Sequence, residues 1–152
     1  MIDLLAELRS VISSLDIAGI PYALCGGLAM AVHGVPKATV DIDLLVLRDD
    51  LARLEVAVLP LGFDLDAHPR RFRGGAIEIR RLSKLQPSEH PLSLDLLLVT
   101  PTVQTVWDDR QSMEWDFGKI SVVSLAGLIA LKSLRGSGPD QDDIRRLQGE
   151  NE

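Results

Sequence analysis

The sequence predicts an α+β fold in one domain over residues 1–152: a mixed central β-sheet with flanking helices. Three observations predict it. Apolar runs of strand length at 22–25, 40–47 and 92–99 stop at glycines, prolines or polar clusters. Stretches with apolar residues three and four apart, at 3–18 and 49–59, lie between such runs. No internal repeat, heptad array or low-complexity tract competes with this pattern.

The elements follow in order. Leu4, Leu5, Leu8, Val11, Ile12 and Leu15 give the helix 3–18 an apolar face; Gly19 closes it and Pro21 follows. Residues 22–25 form a short buried strand that stops at Gly26-Gly27, and 28–33 a short helix with Gly34 as its stop. The strand 40–47 has an apolar second half, and the helix 49–59 turns Leu51, Leu54, Val58 and, at its end, Leu59 inward. Strands at 63–66 and 76–82 are joined by an arginine-rich segment containing Gly74-Gly75. The strand 92–99 is apolar apart from Ser93 and Asp95. Thr100-Pro101 opens a short helix to Arg110, and a strand region follows, broken near Gly118 and completed by 119–123. Ser124 caps a helix to Arg135, residues 136–139 form a linker, and Pro139 starts a last short helix.

A chain of this size buries roughly two-thirds of the surface its unfolded form exposes, so a core forms without disulfides. The single cysteine, Cys25, has no intramolecular partner, and a reducing cytoplasm is the expected compartment. No apolar run reaches the length of a membrane span, and the acidic first residues do not read as a signal peptide, so no membrane partner is expected. The net charge of -6 does not attract nucleic acid globally. A local basic strip nevertheless holds Arg70, Arg71, Arg73, Arg80, Arg81 and Lys84 against one acid, Glu78. Its only aromatic is Phe72, too few for a single-strand stacking platform, so it reads as a solvated hairpin.

Asp41 and Asp43 carry the chemistry. Two apart on a strand, they leave the same face, ahead of a Leu44-Leu45-Val46-Leu47 segment that reads as buried on both faces. Two like charges beside a dry core are costly, and a divalent cation relieves both problems. Mg2+ takes carboxylate oxygens and keeps positions for phosphates. The bland alternative is a solvated strand entry. A second such pair, Asp64 and Asp66, alternates with Phe63 and Leu65 as a strand with one wet face does, and reads as surface. The first pair differs because Gly26-Gly27 lies upstream, between a buried strand and a helix, where glycine lets backbone N–H groups approach a phosphate. Asp95, inside the most apolar strand, needs a partner: an arginine, a structural hydrogen bond or a shared metal. If its strand adjoins that of Asp41 and Asp43, three carboxylates can hold two metals about 3.5–4 Å apart, with Asp95 available as general base.

These residues resemble the DNA polymerase β-like nucleotidyltransferase superfamily. Its signature is an apolar residue, Gly, Gly or Ser, a spacer, then Asp-apolar-Asp-apolar. Here Leu24-Cys25-Gly26-Gly27 is followed by thirteen residues and Asp41-Ile42-Asp43-Leu44, with Asp95 as the later strand acid. The stretch GGLAMAVHGVPKATVDIDLLV is similar to the AbiEii-like and other small bacterial nucleotidyltransferases, as is LIALKSLRGSGPDQDDI, where that group places a lysine and an aspartate, here Lys132 and Asp143. Gly27 stands where many members have Ser, and many carry a further domain that selects the acceptor.

The resemblance implies a nucleotidyltransferase fold and a Mg-dependent enzyme, with two ions expected, that moves NMP from an NTP to a hydroxyl or phosphate acceptor and releases pyrophosphate. Asp41, Asp43 and Asp95 would be the catalytic and metal-binding acids, and Gly26, Gly27, Lys37, Lys132 and Asp143 the nucleotide-binding residues. The acceptor, whether small molecule, RNA or protein, is left open, as is a homodimer or a partner protein. The alternative is a nucleotide-binding regulatory or toxin–antitoxin module with the fold but little activity.

Overall fold

Asp3 starts the first helix. Its side chain accepts a hydrogen bond from the Ala6 N–H, satisfying one of the helix's free amides, and α1 runs Leu4–Ala18 to a left-handed Gly19. Its apolar stripe, Leu8, Val11, Ile12 and Leu15, is buried, as the spacing predicts. The computed structural model describes residues 3–87, 90–116 and 118–149. The remaining elements are β1 (Ala23–Cys25), α2 (Gly26–Val32), β2 (Asp41–Val46), α3 (Leu51–Val58), β3 (Phe63–Asp66), β4 (Arg70–Phe72), β5 (Ile77–Lys84), β6 (Leu92–Leu98), α4 (Gln104–Asp108), β7 (Gln111–Trp115), β8 (Gly118–Val122), α5 (Leu125–Arg135) and α6 (Gly138–Leu147).

The strands form one mixed sheet in the order β3-β5-β6-β2-β1-β8-β7, with β4 paired to β5. The pairs β2/β6 and β1/β8 are parallel, and the others antiparallel. The α+β expectation holds, with helices on both faces of a central mixed sheet.

Strand parity shows which helices cover which face. Lys84 and Arg80 on β5 reach Glu7 of α1 and Glu55 of α3, at 3.0 and 3.9 Å. Ile42, Leu44, Leu94, Leu96 and Leu82 share that face and form the main core, each at most 3% exposed. The opposite parity carries Cys25, Asp43, Asp95, Leu97, Ile79 and Arg81, and α5 lies over it through Leu128, Leu131 and Lys132. One face of the sheet is thus a dry core; the other holds the acids.

Several expectations change. Gly26 and Gly27 are the first turn of α2 rather than a loop before it. The arginine-rich segment contains a strand of its own, β4, because Arg70–Phe72 finds an antiparallel partner in Ile77–Ile79. Leu65 is 44% exposed, not inward: β3 is an edge strand, and its register with β5 slips between Phe63 and Leu65. Asp64 and Asp66 are exposed, as expected, and Asp66 pairs with Arg80 at 2.8 Å. Trp107 belongs to the core. Among the described residues no helix is long and apolar enough to cross a membrane.

Candidate active site

Register brings the acids together. Cys25, Asp43, Asp95 and Arg81 occupy facing positions on four adjacent strands, β1, β2, β6 and β5. Asp41 lies two residues before Asp43, opposite Ser93. The parallel β2/β6 pairing therefore supplies the adjacency of Asp95 to the Asp41–Asp43 pair on which the three-acid arrangement depends.

The carboxylates of Asp41 and Asp43 make no hydrogen bond or ion pair with another described residue. Burial pushes the Asp43 carboxyl up to about 7, helped by the charges of Asp95 and Asp41 and opposed by Arg135 and Lys132. Asp41 is also raised, by burial and then by Asp95, with Arg81 opposing. Two unpaired carboxylates that resist ionisation beside a low-dielectric sheet fit the demand of a hard divalent cation.

Asp95 behaves differently. Arg81 grips it with two parallel bonds, Nε to Oδ1 at 2.7 Å and Nη2 to Oδ2 at 2.9 Å. Both of its oxygens are engaged, so the three carboxylates do not converge on a single point. Among the described residues no group of three His, Cys, Asp or Glu side chains is spaced to hold a metal. Of the roles the sequence leaves open for Asp95, pairing with an arginine is the one this conformation adopts.

The two glycines are fixed by contact. Gly26 has φ +68, and a Cβ there would come 2.7 Å from Asp43 Cγ. A Cβ at residue 27 would come 2.9 Å from the Cβ of Thr39, just before β2. The first turn of α2 is thus pressed against the strand that carries the acids, and its first N–H groups have no helical partners.

Lys132 and Asp143, each 4% exposed, bond at 2.9 Å between α5 and α6. Lys37, in the loop before β2, donates to the same Asp143 oxygen. Burial alone would raise the Asp143 carboxyl; the bonds from Lys37 and Lys132 outweigh it and hold it below the ordinary range. Lys37, partly exposed, is therefore paired rather than free. Nearby, Ser137 and Asp140 form a reciprocal capping box that starts α6, and Lys132 also lies 4.0 Å from Asp140.

A cavity of about 520 Å3 opens over Asp43 and Asp95, a size typical of small-molecule sites. Arg70, Arg73, Arg81 and Arg135 line it together with Phe72, Ile77, Ile79 and Leu134. Half of the basic strip therefore faces the acids rather than bulk water, which sequence reasoning missed. The remainder is paired: Arg71 with Glu78, which Arg48 also binds, Arg80 with Asp66, and Lys84 with Glu7. Arg73 holds the wall in place. Its φ of +54 begins three successive left-handed residues, Arg73, Gly74 and Gly75, and its guanidinium bonds the Leu134 carbonyl at 2.9 Å and the Arg135 carbonyl at 3.4 Å. The one signal in the sequence was the Arg-Gly-Gly triplet, which marks an unusual turn but not its destination.

No family model matches the chain, and no curated protein does. Solved structures do. A provisionally assigned nucleotidyltransferase from Thermotoga maritima superposes with a TM-score of 0.64 at 17% identity, over 99% of this chain and 97% of that one. The lincosamide antibiotic adenylyltransferase LnuA, bound to lincomycin, superposes at 0.65 and 15% identity, over 96% and 97%. ANT(2")-Ia in complex with adenylyl-2"-tobramycin superposes at 0.65 and 13% identity, over 97% and 89%. At such identities the likeness speaks for architecture, and on that ground the chain has the nucleotidyltransferase fold.

Proposed function

We propose that this protein transfers a nucleoside monophosphate from a nucleoside triphosphate to a hydroxyl or phosphate acceptor, releasing pyrophosphate. The observation that carries the reading is Asp43. Its carboxylate has no cation partner among the described residues, lies level with Asp95 and beside Asp41, and is pushed up to about 7. An acid kept in so unfavourable a place is explained by a ligand that the protein itself does not supply. The fold shared with solved nucleotidyltransferases, two of them antibiotic adenylyltransferases, adds to this.

Asp41 and Asp43 would hold Mg2+, and Asp95 would complete a two-ion site once released by Arg81. The bound metal would neutralise phosphate oxygens and lower the pKa of the acceptor hydroxyl. Gly26 and Gly27 would present their backbone N–H groups to the triphosphate, the absence of Cβ letting it approach. Lys132 and Lys37 would contribute positive charge behind the phosphates, with Asp143 holding both in place. Asp95 would take the proton of the attacking hydroxyl. The contact between Lys132 and Asp143 also supports the resemblance to the AbiEii-like group.

One observation favours the alternative of a nucleotide-binding regulatory or toxin–antitoxin module: Arg81 already occupies both oxygens of Asp95. Incubation with Mg2+, each α-labelled NTP and cell extract as acceptor pool separates the readings. Label transfer that disappears in an Asp41→Asn/Asp43→Asn protein supports the enzyme. Nucleotide binding without transfer supports the module, and neither binding nor transfer removes both.

A further inference from the structure

The cavity beyond the acids has a chemistry that the transfer of a nucleotide does not by itself require. Gly26, Cys25 and Lys132 line a small pocket of about 50 Å3 that adjoins the large cavity, and neither Gly26 nor Gly27 lines the large cavity. The two share Asp43, Ile77, Ile79, Asp95 and Arg135, while Arg70, Phe72 and Arg73 line the large cavity and not the small one. A triphosphate held at the glycine turn leaves the end lined by Arg70, Phe72 and Arg73 for an acceptor.

That side is cationic, with an apolar panel. The Arg70 side chain makes no hydrogen bond or ion pair with any described residue, although its backbone is part of the β4/β5 ladder. Arg135 is 59% exposed in its side chain, and its only ion pair among the described residues is a loose 3.6 Å contact to Asp140. Arg73 and Arg81 are held through Nε and Nη2, Arg73 by helix carbonyls and Arg81 by Asp95. The three carboxylates that share the lining leave Arg70 without an anion: Asp95 is held by Arg81, Asp140 lies against Lys132 and Arg135, and Asp43 belongs to the metal site under the proposed function. Phe72, 47% exposed, stands beside Ile77, Ile79 and Leu134 as a flat wall.

We infer that the acceptor is a small hydroxyl-bearing molecule with an anionic group, phosphate or carboxylate, and that Arg70 and Arg135 bind that group. The guanidinium fork matches both anions, whereas a polycation would meet repulsion from four guanidinium groups. Phe72 packs against the acceptor's carbon frame. In the reaction the acceptor oxygen bonds to the α-phosphorus, and the bond from that phosphorus to the bridging oxygen breaks. Pyrophosphate leaves with the electron pair, and the hydroxyl proton passes to Asp95 and then to water. This inference rests on the proposed transferase reading.

The test is calorimetric titration of the full chain, with Mg2+ and a non-hydrolysable ATP analogue first measured alone and then kept saturating. Ribose 5-phosphate, gluconate, neutral ribose and tobramycin are the probes. Binding of at least one anionic probe is expected, with no binding of ribose or tobramycin, and a loss of tenfold or more in Arg70→Glu. Arg70→Lys, which keeps the charge but loses the fork, should fall between the unaltered chain and Arg70→Glu. Anionic probes that fail to bind, or bind equally well to Arg70→Glu, or a tobramycin affinity above theirs, overturn the inference. The two ideas fail separately. An ATP analogue that does not bind counts against the transferase, while the probes are still titrated without it and report on the cavity. Phosphate-bearing and carboxylate-bearing acceptors are told apart by ribose 5-phosphate against gluconate.

Discussion

Gly26 and Asp43 occupy each other's space: a Cβ on residue 26 would lie 2.7 Å from Asp43 Cγ and 2.9 Å from its Cβ. The glycine also has φ +68, a conformation that side chains rarely adopt. Gly26→Ala is therefore expected to cost about 1–3 kcal/mol and to displace the Asp43 carboxylate. Thermal unfolding checks the first part, and transferase activity the second. Gly62→Ala, at φ +103 but far from the acids, serves as the control that loses stability and keeps activity.

Asp43→Asn should stabilise the metal-free protein at pH 8 and abolish transfer. The folded pKa is about 7 against an ordinary 3.8, so between those values the unfolded chain is ionised while the folded chain keeps its proton. The unfolded state binds fewer protons there, and stability falls as pH rises until the folded group ionises. The neutral amide escapes that loss. A gain of about 1–3 kcal/mol is expected at pH 8 and almost none at pH 4. Equal effects at both pH values would remove the argument from Asp43.

Mg2+ affinity should follow the same group. A metal must displace the proton from Asp43 below pH 7, so the Mg2+ dissociation constant should rise roughly tenfold per pH unit from pH 6.5 to 5 and level off above 7.5. Titration calorimetry or Mg2+-dependent melting measures it. A flat profile would place metal binding elsewhere.

Removing Asp143 leaves Lys132 buried without its closest anion and frees Lys37. Asp143→Ala is expected to cost about 3–5 kcal/mol, as breaking a buried pair does, while Lys37→Ala, at the half-exposed end, should cost about 1 kcal/mol or less. Urea unfolding of both variants and of Lys132→Met/Asp143→Leu tests this. The double replacement, with no stranded charge, should recover most of the loss.

Arg81→Gln separates the two functional readings. Without the guanidinium, Asp95 is free to join Asp41 and Asp43, so Mg2+ should bind more tightly if Arg81 competes with the metal. Weaker binding would mean that Arg81 sets the site's geometry rather than guarding it. Isothermal titration of the metal gives the sign directly.

The sequence by itself determined the elements and the suspect residues. Apolar runs placed β2 and β6, the spacing of Leu8, Val11, Ile12 and Leu15 placed α1, and Ser124 placed the start of α5, because these signals act over a few residues. It also separated Asp41 and Asp43 from Asp64 and Asp66 through their neighbours. Only the tertiary structure decided that Asp95 stands level with Asp43, since strand order and register are set by long-range pairing. It alone decided that Arg81 holds Asp95, that Lys37 shares Asp143 with Lys132, and that Arg70 and Arg73 face the acids. The basic strip looked solvated because charge along a chain carries no sign of direction. A left-handed turn and a short strand pairing turned half of it inward, where it confronts the carboxylates.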